Sequence, residues 1–406
     1  MDHCRYGKSW QTLACIGGNV MHSAVIVGAG PVGCLTALGL SKQGWQVTIV
    51  EKLACPEGEL PTSYDNRQLA LSEANVAWLL EQSLLPNLSA YLTPILRIHT
   101  SAKDGFGLME MSAEELGVPA LGYTIAMDQL GYLMFEAMAQ CANIQFYDEV
   151  SLLSLSQDEG SVDLQAVRHG EPMSWQADYV FAADGVNSWV RSALGIGQSR
   201  HDYDHLLMTA VATLQTPHHH LAIERFTASG PTALLPMAGT HLAKVVFSYP
   251  VVDKAQIQAE SLVSLTESIN QNLGKQLGRV VAIHDVKHYQ AMDARPERIL
   301  EQRVLLLGNA AHTQHPVAGQ GLNLGIRDVI ALLAWSSDPD VGQLSVLAQA
   351  RQQDHQRVMR FTSGLNHLFT HPSTLIRQAS GFGIGLLQAC SPLKKLVTRV
   401  AMGRSV

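Results

Sequence analysis

The chain has 406 residues and a mass of 44.1 kDa, is 47% hydrophobic and 16% charged, and carries a formal net charge of −7. That length suits two intimately connected domains, and the composition is that of a well-packed globular protein. The negative balance speaks against a general nucleic-acid binder.

The distribution of charge says more than its sum. No Asp or Glu follows Asp354, whereas Arg357, Arg360, Arg377, Lys394, Lys395, Arg399 and Arg404 do. A basic C-terminal segment thus trails an acidic body, which suggests an anionic surface or partner; a solvated helical face is the alternative. Cysteines 4, 15, 34, 55, 141 and 390 form no C-x-x-C pair, as expected of free thiols in the cytosol. His218-His219-His220 reads as a surface loop, since three adjacent side chains cannot converge on one ion. No metal site is expected.

In chain order, residues 1–20 hold Arg5 and Lys8 but only a feeble apolar core, too weak for a secretion signal. They read as an upstream-start extension or disordered tail before Met21. Ser23–Ser41 contains no charged residue, yet four glycines and Pro31 split it into strand, turn and helix. Ala24–Val27 is a β-branched strand, Gly28-Ala29-Gly30-Pro31-Val32-Gly33 the turn, and about Cys34–Gln43 the helix. Gln46–Val50 is the next strand, closed by Glu51. This is G-x-G-x-x-G in a β-turn-α-β setting, with an acid 18 residues after the last glycine. Gly28 makes the tight turn, Gly30 lets the backbone approach a pyrophosphate, Gly33 lets helix meet strand, and Glu51 accepts from a ribose. A turn so early in a chain of this size points to a resident dinucleotide, FAD before NAD.

Arg67 precedes a helical pattern at Glu73–Gln82 and reads equally as a surface residue or as a phosphate or ribityl contact. Ile95–Ala102 and Leu108–Ser112 alternate around Asp104-Gly105, a hairpin that points to a second layer. Met127–Gln140 is helical, with Asp128 and Gln129 at its start. A hairpin over Val150–Val167 precedes a buried strand, Tyr179–Ala182, and then D-G-x-x-S-x-x-R at Asp184, Gly185, Ser188 and Arg191. An acid and a glycine at the start of a helix suit a cofactor's hydroxyls and phosphate. Between His205 and Glu301, strand-like runs surround one helical pattern, Lys254–Leu273, and read as a mostly antiparallel sheet. Val304–Leu307 is again a buried strand. Small residues Gly308–Ala311, then Pro316, Gly319, Gln320 and Gly321, lead into a helix near Leu322. Such a loop and helix start can hold an electron-rich ligand on backbone N–H groups. Helical patterns continue over Leu344–Leu368 and Ile376–Val400.

Gly28–Gly33 with Glu51, Asp184–Arg191 and Gly308–Asn323, in that order, resemble the group A flavoprotein monooxygenases. Glu224-Arg225-Phe226-Thr227, Gly230-Pro231, Leu235-Pro236-Met237 and the run from Gly308 to Asp328 look more narrowly like the ubiquinone-biosynthesis hydroxylases. The wider family has Asp where this chain has Asn309, and the amide keeps one ribityl contact while marking the narrower subgroup.

The resemblance implies an α/β (α+β) fold like that of para-hydroxybenzoate hydroxylase. A Rossmann-type FAD domain (residues 21–200, with a hairpin insertion near 95–112) would precede a mainly β substrate domain (201–301). Residues 302–336 would complete the FAD site, and 337–406 would form a helical C-terminal region. It also implies FAD held by Gly28, Gly30, Gly33, Glu51, Arg67, Gln129, Asp184, Gly185, Arg191 and Asn309. Pro316 and the backbone of Gly319, Gln320, Gly321, Leu322 and Asn323 would lie along the flavin ring. NAD(P)H is a transient co-substrate, since no second G-x-G-x-x-G is present. The implied reaction uses O₂ and a flavin C4a-hydroperoxide to hydroxylate a polyprenylated phenol, a 2-polyprenyl-6-methoxyphenol in the narrower match. A sister hydroxylase for another ring position, another aromatic substrate, and a non-catalytic FAD-binding assembly subunit are the alternatives. The strands of residues 203–289 would supply the phenol-activating group; no residue stands out, and Arg225 is the one candidate. A bilayer-dwelling substrate would bring the chain to the inner face of the membrane, or to other ubiquinone-biosynthesis proteins, through its basic C-terminal segment.

Overall fold

Five parallel strands and one antiparallel edge strand form the first sheet, in the order Leu300–Glu301, Val304–Leu306, Tyr179–Ala182, Ser23–Val27, Gln46–Val50, Ile144–Tyr147. The computed structural model describes residues 22–369 apart from 57–58, 104–107, 228–229, 275–277 and 315–319, together with scattered positions from Gly383 to Gly403. Central strands covered on both faces should be apolar throughout, and Ala24, Val25, Ile26 and Val27 are all buried. Helix Pro31–Lys42 packs against helices Met127–Ala139 and Gln320–Trp335. A three-stranded meander, Val150–Gln157, Val162–Arg168 and Glu171–Ala177, adds Leu164 and Ala166 to the same core. Its first two strands match the expected hairpin, and the third adds to it.

The second sheet has seven strands, in the order Val280–Pro296, Gln198–Leu214, Leu242–Pro250, Gly230–Pro236, Leu221–Thr227, Arg97–Ala102, Leu108–Ser112. The last two are the expected hairpin, whose turn residues 104–107 lie outside the described residues. All pairings are antiparallel except Leu221–Thr227 with Arg97–Ala102. Helix Leu262–Leu273 covers one face through Leu265, Ile269 and Leu273. The other face turns to the first domain, where Lys287 Nζ lies 3.2 Å from Asp65 Oδ2. There too the Thr124 hydroxyl donates to the Pro236 carbonyl at 2.6 Å.

Several expectations shift in detail. The first helix begins at Pro31, not near Cys34, because proline suits a first helical position whose N–H would be unbonded anyway. The Lys254–Leu273 pattern is two helices, broken before Leu262, where Ser261 Oγ accepts from the Ser264 amide at 3.2 Å. His218-His219-His220 lies in the loop between two strands as expected, with His219 exposed, but His218 is buried, with Nε2 2.7 Å from the Gly239 carbonyl. The residues expected to form an N-terminal extension, and most of Ile376–Val400, lie outside the described residues. Lys394 and Met402 are described and buried; Lys394 pairs with Glu115 at 2.7 Å, and Met402 packs with Met109, Met111 and Phe226. Among the described residues, no helix is long and apolar enough to cross a membrane.

Candidate functional site

Parallel strands in register bring their C-terminal ends to one edge, where doubly wound sheets bind ligands. Here Val27 is level with Val50 and with Ala182, and Ala182 with Leu306. Gly28, Glu51, Ala183 and Leu307 therefore begin their loops side by side, although they lie as far apart in sequence as residues 28 and 307. The three motifs share one edge of one sheet.

In the first turn Gly28 has φ +98°, and a Cβ there would stand 2.6 Å from the Ala183 carbonyl oxygen. A Cβ on Gly33 would fall 2.0 Å from the Gly28 oxygen, so helix and turn touch through backbone alone. A Cβ on Gly30 would meet nothing within 4 Å, which leaves open space before the start of helix Pro31–Lys42. No side chain caps that helix, so its first N–H groups point at the space a phosphate would fill. Glu51 Oε2 accepts from the Ala29 amide at 2.7 Å and Oε1 from Leu53 at 2.9 Å, with acceptor capacity left on both oxygens. Tyr64, which the motifs did not signal, fastens this turn by donating to the Ala29 carbonyl at 2.7 Å.

In the second motif Asp184 Oδ2 accepts from the Val190 amide at 3.1 Å, whereas its Oδ1 is buried with no partner among the described residues. Burial raises the Asp184 pKa, and the Ser188 hydroxyl and Val190 amide partly offset that. An orphaned carboxylate oxygen beside Gly185, which faces open space, fits a ligand hydroxyl. Arg191 turns inward: its guanidinium donates to the Val186 carbonyl at 2.8 Å and the Ala310 carbonyl at 3.2 Å. It clamps the second motif to the third.

The third motif begins at Gly308, whose amide donates to Asp328 Oδ2 at 3.1 Å. Asn309 is exposed, Gly321 faces open space and Leu322 packs on the core. Gln320 opens the helix that the sequence placed near Leu322. The Asn323 side chain is structural: Oδ1 accepts from the Ser72 amide at 2.7 Å, and Nδ2 donates to Ala70 at 2.9 Å. Pro316 and Gly319 lie outside the described residues. Arg67 donates to Asp65 Oδ1 at 2.7 Å and to the Ser63 carbonyl at 3.0 Å. Gln129 is half-buried, its amide bonded to Asp128 at 2.7 Å.

Beneath this edge lies a buried cluster that the sequence did not reveal. Asp328 Oδ1 takes His355 Nε2 at 2.6 Å and Arg351 Nε at 2.8 Å. His312 Nε2 is 3.3 Å from Oδ2, off the axis of a hydrogen bond. Burial alone would raise the Asp328 pKa, but His355, His312 and Arg351 outweigh it and hold the carboxyl well below its usual range. Burial lowers the His312 pKa. His312, Asp328 and His355 have the spacing of a metal site. The guanidinium of Arg351 on the same carboxylate oxygen opposes a cation there, so the cluster reads as a structural hub.

In the second sheet, register corrects one candidate. Arg225 stands level with Thr232 and with Ser101, on the face that holds Ile223 and Leu234 under helix Leu262–Leu273. Glu224 takes the face toward the first domain instead, because successive strand residues alternate sides. Arg225 is thus turned away from the loops that the three motifs form.

A family described as FAD binding domain matches residues 21–336. The chain is 28% identical over 394 residues to ubiquinone hydroxylase UbiL of Rhodospirillum rubrum, covering 93% of this chain and 89% of that one. It is 27% identical over 391 residues to 3-demethoxyubiquinol 3-hydroxylase of Escherichia coli, covering 93% and 97%. Its fold resembles that of p-nitrophenol 4-monooxygenase PnpA from Pseudomonas putida, with a TM-score of 0.78, 18% identity and coverage of 95% and 99%. The architecture is the para-hydroxybenzoate hydroxylase-like one expected. The level strand ends, the open space before Gly30 and the orphaned Asp184 oxygen fit FAD, and the chain belongs to the FAD-binding-domain family as an FAD-dependent monooxygenase.

Proposed function

We propose that this protein hydroxylates the ring of a polyprenylated phenol in ubiquinone biosynthesis, with a 2-polyprenyl-6-methoxyphenol as the substrate that its motifs favour. The observation that carries the reading is the pairing of one level loop edge with a second sheet turned toward it. The relatives named as ubiquinone hydroxylases support the substrate class. Bound FAD, reduced by NAD(P)H, supplies the O₂ chemistry.

Gly30 and the start of helix Pro31–Lys42 take the pyrophosphate, and Glu51 takes the adenosine ribose. Asp184, Gly185 and Asn309 take the ribityl and phosphate side. The start of helix Gln320–Trp335 would offer its positive end to the flavin ring, whose reduction adds negative charge. Arg67 sits at the junction of the two domains, bonded through Asp65 to Lys287 of the sheet. The sheet would shield a ring bound at this junction from water. The C-terminal basic segment carries the protein to the membrane surface where such a substrate resides.

Complementation of quinone-deficient cells, with mass spectrometry of the accumulating intermediate, tests this. Restored quinone is expected, and the lost intermediate names the ring position. No restoration in strains lacking any of the ring hydroxylases contradicts the substrate class.

A further inference from the structure

The register of the second sheet sorts its residues by face. Lys244 stands opposite Val211 and Leu235, and Thr209 opposite Val246 and Lys287. Alternation puts Lys244, Val246, Thr209 and Lys287 on one side, the side from which Lys287 reaches Asp65. Ala243 and Val245 point the other way, into the core under helix Leu262–Leu273. Lys244 and Thr209 are diagonal neighbours on adjacent strands.

Lys244 is 2% exposed, and its Nζ has no hydrogen-bond partner among the described residues. Thr209 Oγ1 and Asp285 Oδ2 are likewise buried, with no hydrogen-bond partner among the described residues. A buried ammonium without a partner opposes folding strongly, so its presence asks for a ligand. The charged groups acting on Lys244 are Asp285, Lys287, Asp65 and Arg67. Asp65 is already taken by Arg67 at 2.7 Å and Lys287 at 3.2 Å, and Asp285 lies 4.0 Å from Lys287. Glu224 faces the same side two strands away, in the row of Thr209. Burial lowers the Lys244 pKa, with Asp285 acting the other way, which brings the amine and ammonium forms closer together.

We propose that Lys244, with Thr209 beside it, holds the ionised ring oxygen of the aromatic substrate. This deepens the hydroxylase reading above and rests on it. The Lys244 ammonium pairs with the phenolate: the phenolic O–H bond breaks, its proton passes to solvent water, and no oxidation state changes. The buried pair then satisfies the lone charge, and a phenolate ring is more electron-rich than a phenol at the carbon to be oxygenated. Arg67 and Lys287 already share Asp65 and Arg225 faces the other way, so among these described residues Lys244 is the cation open to this role.

The probe is 4-nitrophenol, whose phenolate absorbs visible light, titrated into the FAD-loaded protein at a pH where the free phenol is mostly protonated. The wild type is expected to show the phenolate band on binding. Lys244→Met should keep its flavin, bind the phenolate at least ten-fold more weakly, and melt at a higher temperature without ligand because the unpaired charge is gone. Lys244→Arg should restore much of the phenolate affinity. Equal phenolate binding in Lys244→Met, no phenolate band in the wild type, or loss of flavin from Lys244→Met would each overturn the assignment. A prenylated phenol that stimulates NAD(P)H oxidation in wild type, with an unchanged pH profile of kcat/KM in Lys244→Met, overturns it while leaving the hydroxylase reading intact. A wild type stimulated by no phenol removes both.

Discussion

The carboxylate of Asp328 accepts the backbone amide of Gly308 at 3.1 Å, fixing the elbow of the third motif from below. Gly308 sits at φ +55°, and Val32 of the first motif's helix lies where its Cβ would be, 2.9 Å away. One buried acid thus sets the height of the elbow at which the third motif begins. Asp328→Asn leaves Arg351 without its full counter-charge. It should lower stability by roughly 3–5 kcal/mol, the range for breaking a buried pair. Denaturant unfolding checks this; a variant as stable as wild type would show that the cluster does not hold the elbow.

The same cluster sets a response to acid. Buried His312 has a pKa below its ordinary 6.5, so the unfolded chain binds a proton that the folded one refuses, and stability falls as pH drops below about 6.5. Asp328 titrates well below its ordinary 3.8, so its contribution is complete above that value and is lost as pH falls through the lowered one. Two successive losses are expected in a melting series from pH 8 downward. The lower one should be absent in Asp328→Asn.

The glycines of the first turn should separate by what their Cβ would meet. Gly28→Ala and Gly33→Ala collide with backbone at 2.6 and 2.0 Å and should yield misfolded protein. Gly30→Ala, at an ordinary φ of −71° with nothing within 4 Å, should fold normally and bind FAD roughly ten-fold more weakly, about 1.4 kcal/mol. Flavin fluorescence titration reads this. Unchanged affinity in Gly30→Ala would place the pyrophosphate elsewhere.

Asn309→Asp should keep its flavin. The side chain is exposed, so solvent can take up the new charge. Loss of FAD on purification of this variant would mean that the amide makes a contact a carboxylate cannot make.

The C-terminal segment has two separable parts. Removing residues 377–406 takes Met402 out of the cluster with Met109 and Met111 and breaks the Lys394–Glu115 pair. Such a truncation should therefore lower the melting temperature as well as any membrane association. Lys395 is exposed, so Lys395→Glu should weaken sedimentation with anionic vesicles without changing the melt. Equal vesicle binding by that variant and wild type would count against a role for this charge.

Much of the site could be read from the chain because each motif follows a buried strand, and parallel strands in register put their ends together. Gly28, Glu51, Asp184 and Gly308 all fall at one edge for that reason. Residues acting through tertiary contact left no local signal. Tyr64 stands in a polar stretch, Asp328 closes a motif, and His355 is one polar position on a long helix. For Arg225 strand alternation decides: a shift of one residue along the strand separates the face toward the first domain from the face under a helix. Lys244 was hidden in an apolar run, LAKVVF, where a lone lysine is easily taken for an edge charge.

The most direct test of the hydroxylase account is turnover of a prenylated phenol with NADPH under isotopically labelled O₂, followed by mass spectrometry of the ring product. The account predicts phenol-stimulated NADPH oxidation and one labelled oxygen atom in the product. Phenol-independent NADPH oxidation with only peroxide formed, or an unlabelled product, would contradict it.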